Sequence, residues 1–131
     1  MKSLTRSLLL ALALTANATA GPLAYTCEVL HVYSLSEKGT LEASGFEKEM
    51  KGSLFSVSRV TGEIIGATVP TLLAKSTRVV NKGSKENSFK SVADFEVNFQ
   101  ILEVQEFRDG SVKPFVVTSM GGAGIVTGTC K

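Results

Sequence analysis

Apolar and polar residues alternate with period two along much of this chain, the pattern of strands with one wet face. From Tyr25 to Leu35 the residues are mostly β-branched, aromatic or leucine, with Val29, Val32 and Tyr33 among them, and they read as a first strand turned by Ser36-Glu37-Lys38-Gly39. Phe55-Ser56-Val57-Ser58-Arg59 alternates, Thr61-Gly62 interrupts, and Glu63 to Val69 resumes an extended pattern. That is a hairpin whose turn needs the positive φ that Gly62 supplies, and Pro70, unable to donate to a ladder, ends it. A short strand at Thr77-Arg78-Val79-Val80 leads into the polar turn Asn81 to Asn87.

Asp94 to Ile101 alternates almost without fault, which predicts a strand burying Phe95, Val97, Phe99 and Ile101. At Ile101-Leu102 the phase flips and Leu102 and Val104 become the apolar set, so a bulge, bend or break belongs there. Asp109-Gly110 is a turn signal before Lys113 to Thr118, and Gly121 to Gly124 turns the chain into a last strand, Ile125 to Cys130. One helix fits the pattern. Ser44 followed by Glu47 matches a capping box, Phe46 and Met50 stack at i,i+4, Glu47 can pair with Lys51, and Gly52 stops it. At two turns it is marginal alone, so packing of Phe46 and Met50 on the sheet must hold it.

Seven to eight short strands with turns every 8–12 residues predict an all-β domain, a small antiparallel β-barrel or sandwich with one short helix. Cys27 and Cys130 are the only cysteines and bracket nearly all of this pattern. Read as a disulfide, they bring the start of the first strand to within about 7 Å of the end of the last. Pairing of those strands would close a barrel and remove exposed edges, although a link between two sheets of a sandwich meets the same distance.

The N-terminus bears on the compartment. Lys2 and Arg6 precede the apolar run Leu8 to Leu14, and Ala18-Thr19-Ala20 offers the small residues that a signal peptidase reads, so residues 1–20 are expected to be cleaved. The apolar run is shorter than the roughly 20 residues of a membrane-spanning helix, which leaves no membrane span in the mature chain. The expected location is periplasmic or secreted, an oxidising setting in which two cysteines pair. Residues 21–131 then form one domain.

Lys2 and Arg6 leave with the leader, so of 14 basic side chains twelve remain against 12 acidic ones. Such neutrality argues against nucleic acid as a partner. The charges are nevertheless blocked: Lys75, Arg78, Lys82, Lys85 and Lys90 are interrupted by Glu86 alone, and Asp94, Glu96, Glu103 and Glu106 follow with no base among them. Two readings stand: complementary charges across neighbouring strands, or a basic surface at Arg78, Lys82, Lys85 and Lys90 that meets an acidic protein or an anionic envelope component.

Candidate chemistry is sparse. His31 is the single histidine, and alternation places it with Cys27, Val29 and Tyr33; as a general base it would need a nucleophile and an orienting carboxylate converging on it. One histidine and two paired cysteines offer no metal cluster, no glycine-rich stretch cradles phosphate, and no cofactor is expected. Glu103 and Glu106 could imitate a glycosidase pair, but there is no tryptophan to stack a sugar. The expectation is a non-enzymatic interaction module. The phenylalanines Phe95, Phe99, Phe107 and Phe115, with Val97, suggest an alternative, a barrel around a small apolar ligand.

Phe55-Ser-Val-Ser-Arg-Val-Thr-Gly62, Lys82-Gly-Ser-Lys-Glu-Asn-Ser-Phe-Lys90, Val104-Gln-Glu-Phe107, Lys113-Pro-Phe115 and Gly128-Thr-Cys130 resemble a group of small exported proteins of Gram-negative bacteria. That resemblance covers most of the mature chain and implies export and compactness, with no mechanism. Tyr25-Thr-Cys27 and Ser44-Gly45 are similar, more weakly, to the opening and inhibitory loop of periplasmic lysozyme-inhibitor barrels, though the fuller loop pattern is missing. This second resemblance implies inhibition of a lysozyme-type hydrolase.

Overall fold

A computed structural model describes residues 22–119 and 124–131, so the leader expected over residues 1–20 and most of the turn expected before the last strand lie outside the described residues. Among the described residues nine strands, β1 (Ala24–Leu35), β2 (Leu41–Ala43), β3 (Leu54–Ser58), β4 (Ile64–Gly66), β5 (Ser76–Lys82), β6 (Phe89–Asp94), β7 (Phe99–Val104), β8 (Lys113–Ser119) and β9 (Gly124–Cys130), form one antiparallel sheet with a single short helix, α1 (Glu47–Met50). The sheet curls into a half-barrel in the order β4-β3-β1-β9-β8-β7-β6-β5, with β2 paired to the far end of β1. Its concave side collects Tyr25, Val29, Val32, Phe55, Val57, Phe89, Leu102, Val104, Phe115 and Val117 into one core.

The two cysteines are bonded and lie opposite one another in the β1–β9 ladder. First and last strands thus pair, as the clasp predicts, but that pairing falls in the middle of the sheet. The two ends of the sheet lie at β4 and β5 instead, with the three-residue β2 a further short edge beside β1. Both cysteines are fully buried. Gly128, opposite Val29, has room for no side chain: a Cβ would collide with the carbonyl of Glu28, where β1 bulges between Val29 and His31. The bulge shifts the alternation by one, so Cys27 and Val29 face inward while His31 turns to the outer surface.

The strand predicted over Asp94 to Ile101 is two strands and a turn. Residues 95–98 reverse the chain, closed by the Phe95 N–H donating to the Asn98 carbonyl at 2.9 Å. The buried phase of β7 is Gln100, Leu102 and Val104, which leaves Phe99 and Ile101 outside and Val97 88 % exposed in the turn. Gln100 breaks the expected pattern because its buried amide donates to the Val69 carbonyl at 2.9 Å, a satisfied polar group inside the core. On β6 the inward residues are Phe89, Ser91 and Ala93, two of them small, so its alternation is faint in the sequence.

α1 is held differently from the expectation. Phe46 is 63 % exposed and only Met50 packs against the core. The segment instead fills a gap in the ladder of β1 between its β3 and β2 partners. Val29 donates to Ser53 and accepts from Gly52, the Val32 carbonyl accepts from Ser44, and the Val32 N–H donates to the Glu47 carboxylate at 3.0 Å. Glu47 therefore serves β1 rather than a capping box, and Ser44 Oγ accepts from the Phe46 N–H.

Candidate interaction site

The two ends of the sheet, β4 and β5, face each other across a seam. Each successive strand from β3 to β9 runs opposite to the last, but no ladder joins β4 to β5, which the nine residues 67–75 connect. Part of the β4 edge is capped from this link: Thr71 donates its N–H to the Ile64 carbonyl at 3.1 Å and its hydroxyl accepts from the Ile64 N–H at 2.8 Å. Among the described residues β5 pairs only with β6.

Gly62 crosses the seam at one point. It is buried with φ 78°, and a Cβ there would stand 2.8 Å from the Ser91 Cβ and 3.3 Å from the Arg78 carbonyl oxygen. Open clefts lie on either side of that contact. One, of about 500 Å³, is lined by Ile64, Ile65, Pro70, Leu72, Lys75 and Ser76 among others. The other, of about 470 Å³, lies between Val60 and Thr61 of the β3–β4 turn and Thr77, Arg78, Val79, Val80 and Lys82 of β5. Leu72 and Leu73, at 89 % and 86 % exposure, stand at the tip of the link.

Of the four basic residues singled out in the sequence, Arg78 and Lys82 line the second cleft. Lys85 stands in the β5–β6 turn, and Lys90 is on the outer face of β6, opposite Asn81. The turn is a built structure: Asn81 Oδ1 accepts from the Gly83 N–H at 2.9 Å, and Ser84 Oγ accepts from the N–H groups of Glu86 and Asn87 at 3.1 Å. All four basic residues are exposed, and among the described residues none has a carboxylate within 4.0 Å. Lys75, on the rim of the first cleft, belongs with them; the charge block contained it, but nothing in the sequence placed it at an edge.

Two members of the acidic block are committed internally. Glu103, opposite Lys90 in the ladder, accepts from the Ser88 hydroxyl at 2.7 Å. Glu106 pairs with Arg59 at 3.3 Å and accepts from the Tyr25 hydroxyl at 2.5 Å, while the Arg59 guanidinium lies over the Tyr25 ring at 4.6 Å. This Tyr25–Arg59–Glu106 group ties β1, the β3–β4 turn and the β7–β8 loop together. Burial, followed by the hydrogen bond to Glu106, pushes the Tyr25 phenol well above its ordinary value, and the Arg59 charge offsets only part of that.

The other candidates separate. His31 Nδ1 lies 3.8 Å from Glu47 on the outer face, stacked on Tyr33, with no hydrogen bond to a serine among the described residues. Of the residues that suggested an internal ligand space, Phe115 is in the core, packed edge-on to Phe55, but Val97, Phe99 and Phe107 are exposed. Ser44-Gly45 lies in the turn before α1. Comparison with protein families, curated proteins and solved structures finds no match to this chain.

Proposed function

We propose that this chain is an exported, non-enzymatic interaction module that captures an anionic partner through the basic surface around β5. The observation that carries this reading is the imbalance of pairing: Arg78, Lys82, Lys85 and Lys90 are exposed without carboxylate partners among the described residues, while Glu103 and Glu106 of the neighbouring acidic block are engaged within the fold. Unneutralised surface cations contribute little to stability, but they steer and orient a complementary surface. The buried disulfide supports an oxidising compartment, and with it export.

A pull-down from a bacterial envelope extract tests the reading, with the native chain set beside Lys82→Glu/Lys85→Glu. The expected outcome is a captured partner that is lost on charge reversal and released by raised salt. Capture indifferent to the reversal would overturn the reading.

A further inference from the structure

The geometry points to the free edge of β5 as a strand-addition site for an extended, acidic segment of a partner protein, an inference that rests on the reading above and specifies its occupant. Three observations converge on it. β5 spans Ser76–Lys82, about 20 Å at the usual rise, and among the described residues one side of its backbone has no ladder partner. Alternate residues of an antiparallel edge strand direct both N–H and C=O outward, so an occupant must supply matching donors and acceptors, which an extended peptide does and an acyl chain does not. Arg78 and Lys82 line the cleft along that edge with no carboxylate partner among the described residues, and Lys75 lines the other.

The clefts set the side-chain preference. Val60 and Val80 wall one and Ile64, Ile65 and Leu72 the other, and the bulge between Val79 and Asn81 puts Arg78, opposite Val92, and Lys82, opposite Phe89, on different faces of the strand, so an acidic segment with interspersed aliphatic residues can set carboxylates against cations on both faces and aliphatic groups against those walls. Gly62 lies against the edge at the Arg78 carbonyl, which together with the bulge between Val79 and Asn81 interrupts the added ladder, and a cleft lies on either side of that contact. A second copy of this chain is the poorer occupant. Antiparallel pairing of β5 with its copy about Val80 would set each Arg78 opposite the other copy's Lys82, a like-charge arrangement by which edge strands resist self-association.

The test uses the chain with its disulfide intact and two synthetic eight-residue peptides, one alternating glutamate and valine, the other glutamate and proline. Both carry the same charge, but proline cannot donate to a ladder. Binding is followed by titration and by amide hydrogen exchange. The expected result is binding of the glutamate–valine peptide with slowed exchange along Ser76–Lys82, at least about tenfold weaker binding of the proline peptide, and a similar loss with Arg78→Glu/Lys82→Glu, whose folding is checked by its melting curve. Equal binding of both peptides would overturn strand addition while leaving charge-driven capture standing. Binding without protection of β5, or no binding by the glutamate–valine peptide, would also overturn strand addition, and the envelope pull-down then decides the broader reading separately. Concentration-dependent dimers protecting β5 without peptide would hand the edge to a second copy and overturn the proposal.

Discussion

Tyr25 shows how one residue couples burial to charge. Its ring packs edge-on against Phe89 at 5.2 Å while its hydroxyl reaches Glu106, itself held by Arg59. Ionising the phenol would put a second negative charge beside Glu106 in a site shielded from water, which is why the group resists deprotonation. The unfolded phenol ionises near its ordinary value of about 10, so above that pH the unfolded chain releases a proton that the folded chain keeps. Stability from this group is therefore intact below about pH 10 and falls as the pH rises beyond it. Thermal melts in alkaline buffers should show that decline in the native chain and a shallower one in Tyr25→Phe. At neutral pH the same variant should lose about 2 kcal/mol, because the hydrogen bond it removes ends on a charged group.

Among the elements, the β3–β4 turn carries the seam. Gly62→Ala adds a methyl where Ser91 and the Arg78 carbonyl already stand, on a backbone with φ 78° that disfavours any Cβ. We expect a loss of about 2–4 kcal/mol in denaturant unfolding, together with faster amide exchange in β4 and β5. An unchanged midpoint would show that Gly62 does not hold the seam. The same scale shows where sequence patterns mislead. The hairpin over Phe55 to Val69 was legible because its inward residues are apolar and its turn glycine is marked, although its second strand ends at Gly66 rather than at Val69. β6 and β7 were not, because Ser91, Ala93 and Gln100 face inward while Phe99 and Ile101 face out. Period two reports which residues share a face, but which face is buried depends on partners such as Val69, which satisfies Gln100.

For the whole molecule the disulfide acts as a central rivet. It joins positions 103 apart and lies buried in the ladder between the two terminal strands. The chain-entropy account gives a loop of that length about 4–5 kcal/mol of stabilisation. Reduction, or Cys27→Ser with Cys130→Ser, should lower the melting temperature by on the order of 15 °C or more for a domain of this size. Since both sulfurs are buried, reduction of the folded chain should be slow and should quicken in mild denaturant. A melt insensitive to reductant would mean that the terminal strands are held by their ladder alone.

By itself the sequence determined the all-β character, the antiparallel turns at Gly62 and Gly110, the bond between Cys27 and Cys130, and the basic set Arg78, Lys82, Lys85 and Lys90, because alternation, turn chemistry, cysteine count and charge are all local or countable. Only the tertiary structure decided that the terminal strands meet mid-sheet, that the sheet ends at β4 and β5, and that Arg78 and Lys82 line a cleft between them. A strand edge is free or paired according to residues far away in the chain. No local pattern in β5 records that β4, held by Thr71 and kept off by the 67–75 link, fails to reach it.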